Sequence, residues 1–178
     1  MSINNNFVFK ALHIIAWIIF IGLCIEAGAL IINFIFSVFK PEYVGNLYQK
    51  LDLSSMYHEN KWVFFGMYSF VLVISILKAH LFYVVITLLH KLDLSKPFSS
   101  FAAKKINSIA YYTFSIGIIS YIAREVTKNM NHYGLEIDKL QEFWIDSQAF
   151  ILMAAIIYII ATIFKRGIEL QNENELTI

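Results

Sequence analysis

Four apolar stretches constrain this chain more than any other feature. A helix crossing the ~30 Å hydrocarbon layer of a bilayer needs about 20 apolar residues. The runs 7–39, 62–90, 101–123 and 147–164 reach or approach that length. Interruptions are few: Lys10, His13, Glu26 and Asn33 in the first, Lys78 and His80 in the second, and no charge in the fourth. Pro41 and Pro97 stand just after the first run and just before the third, where helices are expected to end and begin. Only 15% of the 178 residues are charged, against about 25% in soluble domains. With a mean hydropathy of +0.63, this excludes a soluble enzyme, a disordered tail and a nucleic-acid binder with a basic face. The predicted fold is all-α: one integral membrane domain over 1–178, four transmembrane helices in an up-down bundle. An inner loop over 91–100 and a tail over 165–178 complete it.

The first run is far longer than the apolar core of a cleaved signal, so a retained helix is expected. Leu23 also stands where a lipoprotein site at Cys24 wants a small residue. The lone Cys24 forms no internal disulfide and fits no metal spacing. Four spans put both termini on one side. With the termini inside, seven cations lie in inner segments and six in outer ones. Density breaks the near tie, because Lys91, Lys96, Lys104 and Lys105 crowd one short loop. The N- and C-termini are therefore expected to be cytoplasmic. Outside, the segment 135–144 (LEIDKLQEFW) is expected to extend the fourth span or to lie on the membrane surface.

An ionisable group at mid-bilayer costs roughly 2.5–3.5 kcal/mol on insertion scales, so it seeks a partner. Glu26 lies ~24 Å above the inner anchor and Lys78 ~20 Å, at ~1.5 Å per residue. Opposite charges at similar depth predict an intramembrane ion pair Glu26–Lys78. Gly22, Glu26, Ala29, Asn33 and Ser37 follow at spacings of three and four, a small-and-polar stripe expected to meet a neighbouring helix. On the second span His80, Tyr83, Thr87 and His90 share a polar face, and His13 and His90 lie near the same surface. Two such histidines admit a b-type haem as an alternative, although interfacial packing accounts for them more simply. Arg124 and Glu125 are expected to pair with neighbours or with Asp146. Tyr111, Tyr112, Tyr121, Trp62 and Trp144 read as interfacial belt and core. No hydrolase elbow, zinc motif or phosphate loop occurs. The expectation is a non-enzymatic protein with no cofactor and no metal.

Two polar pieces remain. Pro97 followed by Ser99 predicts a helix start, a stiff turn and then a capping hydroxyl. After Phe164, Lys165 and Arg166 stop transfer and Gly167 permits a break. Apolar Ile168, Leu170, Leu176 and Ile178 then alternate with acidic and amide residues, the pattern of a short docking peptide.

The segments KPFSSFAAKKINSIA and IFKRGIELQNENELTI resemble a widespread bacterial family of uncharacterised four-span membrane proteins, over essentially the whole chain. The resemblance maps onto Pro97, Phe98, Ser99, Lys165, Arg166, Gly167, Glu169, Leu170, Gln171, Glu173, Asn174, Leu176 and Thr177. Members are often encoded beside Cro/CI-type helix-turn-helix regulators. It therefore implies a multi-pass protein of the bacterial inner membrane whose partners are the bilayer and a cytosolic DNA-binding regulator. Direct contact with nucleic acid is not expected, and a homo-oligomer is compatible. The leading expectation is a regulatory or sensory role through the inner loop and tail. The alternative from another class is a small transporter or channel subunit working through Glu26 and Lys78.

Overall fold

The computed structural model describes residues 3–40, 42, 44, 53–93, 97–132 and 138–175. In chain order the elements are α1 (Ile3–Phe39), α2 (Ser54–Glu59), α3 (Lys61–Lys91), α4 (Ser100–His132), a short 3-10 helix (Asp138–Phe143) and α5 (Ser147–Glu175). No strand occurs among the described residues. Four helices are long and apolar enough to cross a membrane. The protein is an all-helical, four-span membrane protein.

Local chemistry sets the helix starts. Asn60 adopts an extended conformation, and its side-chain oxygen accepts the N–H groups of Trp62 (2.9 Å) and Val63 (3.3 Å), which α3 cannot otherwise satisfy. Ser99 does the same for α4: its Oγ accepts the Ala102 N–H at 3.2 Å. The start predicted from Pro97 and Ser99 is therefore where the helix begins.

Packing follows chain order: α1 lies on α3, α3 on α4, and α4 on α5 along the most extensive seam. The two middle helices carry the interior. In the most apolar stretches of α3 and α4, 39% of residues are buried, against 17% in α1 and α5. Ile14, Ile18 and Ile25 on α1, and Leu152, Ile159 and Ile163 on α5, face outward. Water would penalise so much apolar surface, whereas hydrocarbon covers it at no cost. On α3 the row Phe64, Met67, Val71 and Ile74 is buried at spacings of three and four. A second row meets α1. Phe34 packs against Phe65 and Tyr68 with ring centroids 5.7 and 5.4 Å apart, and Tyr68 donates its hydroxyl to the Leu30 carbonyl at 3.1 Å.

Gly117 marks the closest approach of α4 and α5. A methyl group there would stand 2.7 Å from Ile151 Cγ1 and 3.0 Å from the Ile151 nitrogen. The small-and-polar stripe expected on α1 divides: Ser37 is buried and Glu26, Ala29 and Asn33 are half-buried, but Gly22 is not a point of close approach. Gly22 is exposed with nothing within 4 Å of an added methyl. Among the residues of α1 whose burial is described, Ala16, Ala27, Leu30 and Ser37 are buried. Close helix approach needs a missing side chain on the facing side, and Gly22 points away from α3.

From Leu140 onward the segment before α5 belongs to the fourth candidate span, Leu140–Glu173, but it does not continue α5 as α-helix. It forms the 3-10 helix and a turn over 144–146. Leu140 and Trp144 are buried in the same cluster as Phe64 and Ile116. Folding these apolar residues over the end of the bundle removes them from water, which an outward extension would not do. Leu135 lies outside the described residues. α2 closes the same end, with Met56 and Tyr57 buried and Tyr57 edge-on to Phe64 at 5.2 Å.

Candidate functional site

The opposite end of the bundle, where α4 begins and α5 runs past its apolar stretch, carries most of the residues singled out in the two polar pieces. α5 does not break at Gly167. It continues as one helix to Glu175, so residues 165–175 are a helical extension and not a loose tail. Gly167 has a different use. A methyl group on it would stand 2.6 Å from Phe98 Cδ1 and 2.8 Å from Cε1. The Phe98 ring therefore lies flush on the α5 backbone, with its centroid 5.3 Å from that of Phe164. A side chain at 167 would force the Phe98 ring, itself 42% exposed, to move off the helix.

A clasp results. Pro97 is half-buried, and its carbonyl accepts the Ser99 N–H at 3.0 Å. Ser99 caps α4, and Phe98 between them reaches across to α5. Arg166 and Glu169, one turn apart, pair at 2.7 Å on the exposed side of α5. Lys165 and Leu170 are also exposed, and Gln171 is half-buried. Glu173 is exposed. The Asn174 side chain, Leu176, Thr177 and Ile178 lie outside the described residues, as does Lys96. The inner loop and the tail, both expected to contribute to partner binding, are thus joined to each other.

Glu26 and Lys78 are not brought together. Both are half-buried. No ion pair joins them among the described residues, and Lys78 Nζ lies instead 5.9 Å from the centroid of the Phe150 ring on α5. Depth arithmetic placed them level, but each residue turns a helix by about 100°. Lys78 continues the interior row after Ile74, whereas α1 meets the row of Phe65 and Tyr68. The lysine is rotated roughly a third of a turn from the helix that carries Glu26.

The polar face of α3 divides between its neighbours. The His80 ring packs on Tyr112 of α4 at 4.6 Å, while Tyr83 faces Phe20 of α1 at 6.2 Å. His13 and His90 do meet, edge to face with centroids 5.7 Å apart, and Trp17 donates its indole N–H to His13 Nε2 at 3.1 Å. Rings in mutual contact leave no slot for a porphyrin plane, so this pair does not fit a haem. No group of three or more metal-ligating side chains occurs among the described residues. Near the α2 end, Glu125 pairs with Lys128 at 2.7 Å. No ion pair links Arg124 to Asp146 among the described residues.

The clasp was missed in the sequence because glycine directly after two cations reads as a helix terminator. The available signal was the recurrence of Pro97-Phe98-Ser99 and Lys165-Arg166-Gly167 at the same membrane surface. A family model described as "Protein of unknown function (DUF2975)" matches residues 48–178, which include both halves of the clasp. No curated protein and no solved structure matches the chain.

Proposed function

For this chain, which belongs to the DUF2975 family, we propose a non-enzymatic, regulatory or sensory role at the bacterial inner membrane. Its clasp is the face that receives a cytosolic partner. The observation that carries this reading is the seating of Phe98 on Gly167. The contact unites the α4 start and the α5 extension into one ordered surface, so little ordering entropy remains to be lost on binding. Exposed Lys165, Arg166 and Leu170 supply charge and an apolar anchor beside it. The proposed partner is a helix-turn-helix DNA-binding regulator held at the membrane, with both termini cytoplasmic and no direct contact between this chain and nucleic acid.

Co-purification tests this. A helix-turn-helix regulator of the kind that the resemblance implies is expected to be retained by the full chain in detergent. It should be lost with Arg166→Glu combined with Leu170→Glu, two exposed positions whose exchange leaves the bundle intact. Equal recovery from both forms refutes the reading. Transport through Glu26 and Lys78 is a second reading, favoured by the half-burial of both groups without a mutual ion pair. In that case Glu26→Gln abolishes a proton-coupled flux in proteoliposomes, and an unchanged flux dismisses it.

A further inference from the structure

A cavity of about 490 Å³ opens along the α4–α5 seam at the clasp end. Its lining is graded. Gly117 beside Ile151 sets the antiparallel register of the two helices, and that register brings Lys104 level with Lys165, Asn107 with Thr162, and Tyr111 with Tyr158. All six side chains line the cavity. From the lysine rung to the tyrosine rung is ~10 Å, at ~1.5 Å per residue over seven residues. Ala103 and Ala161 on the same walls are small, which is what leaves the space.

Charge follows the same gradient. Glu169 also lines the cavity, but Arg166 holds it at 2.7 Å. Among the described residues neither Lys104 nor Lys165 has a carboxylate within ion-pair distance. Two ammonium groups without an ion pair among the described residues therefore stand at one mouth, an amide and a hydroxyl lie below them, and two aromatic rings lie below those. In the sequence Lys165 directly follows the fourth apolar run and Lys104 stands at the onset of the third, positions expected of interfacial cations, and the tyrosine rung lies seven residues further into both runs.

We propose that this groove is a binding site for one anionic phospholipid of the adjoining leaflet. Lys104 and Lys165 receive the phosphate, Asn107 hydrogen-bonds the glycerol esters, and Tyr111 and Tyr158 flank the first part of an acyl chain. Cations at the headgroup level draw anionic lipids. The volume falls in the range of small-molecule sites, and the amphiphile's polarity runs in the same direction as the wall's. The free face of α5 gives the second chain access to the bilayer.

The test is native mass spectrometry of the full chain in detergent, titrated with phosphatidylglycerol, phosphatidylcholine or inorganic phosphate, with no other protein present. Its outcome is therefore independent of the partner reading above. One phosphatidylglycerol is expected to bind roughly tenfold or more tightly than phosphatidylcholine. Lys104→Gln with Lys165→Gln should abolish that preference. Lys10→Gln with Lys91→Gln removes the same charge at the same end and should preserve it. Ala103→Phe fills the groove with charge unchanged and should also prevent retention. Equal losses from both lysine pairs, or retention by a folded Ala103→Phe variant, overturn the site. Displacement of the lipid by millimolar inorganic phosphate would reassign it to a soluble anion and overturn the lipid as occupant.

Discussion

Gly117→Ala offers the sharpest test of the packing. The added methyl would stand 2.7 Å from Ile151 Cγ1, 3.0 Å from the Ile151 nitrogen and 3.3 Å from Phe150 Cβ. Favourable carbon contacts begin near ~3.5 Å, so α4 and α5 must part by roughly 0.8 Å or Ile151 must leave its rotamer. The side chain can swing, but the nitrogen belongs to the α5 backbone and cannot. Overpacking of this kind costs ~1–3 kcal/mol. Alanine recovers about 0.5–1 kcal/mol of helix preference over glycine. The net expectation is a loss of about 0–2.5 kcal/mol, the difference of those two terms. Gly66 is the internal control, since nothing lies within 4 Å of a methyl placed there. Gly66→Ala keeps the helix gain and meets no clash. Unfolding of both variants in one detergent should separate them by about 1–3 kcal/mol, the clash alone. If Gly117→Ala proves as benign as Gly66→Ala, the helices are not in contact at Gly117, and the register that builds the groove falls with it.

Four further outcomes are expected. Tyr68→Phe removes the hydroxyl that α3 donates to the Leu30 carbonyl and should cost about 0.5–1.5 kcal/mol in the same unfolding assay. Phe64→Ala empties a fully buried site beside Tyr57 and Tyr68 and should cost ~3–5 kcal/mol or prevent accumulation of the folded protein. Asn60→Ala leaves two N–H groups at the α3 start without their acceptor; a loss of ~0.5–2 kcal/mol is expected, together with faster amide exchange at Trp62 and Val63. Lys128→Ala breaks an ion pair whose side chains are 53% and 42% exposed, and screening by water should hold its effect below ~0.5 kcal/mol.

The run lengths, the placement of Pro41 and Pro97, and the scarcity of charge dictated a bilayer-spanning, all-helical chain without reference to any contact. Solvent imposes those features: hydrocarbon accepts only long apolar helices whose backbone groups are satisfied internally. The capping role of Ser99 was equally local, since a hydroxyl beside the first turn has nearby N–H groups to accept. Contacts between elements were another matter. Whether Glu26 meets Lys78 depends on the rotation of two helices about their own axes, and depth along the membrane normal carries no information about rotation. Which glycine permits close approach depends on what stands opposite, so Gly22 and Gly117 look alike in sequence and differ completely in place. The same holds for Gly167, where the absent side chain makes room for Phe98 and the helix continues unbroken. Local preference and the bilayer determine which segments are helices; only the packing of side chains between them decides which residues become neighbours.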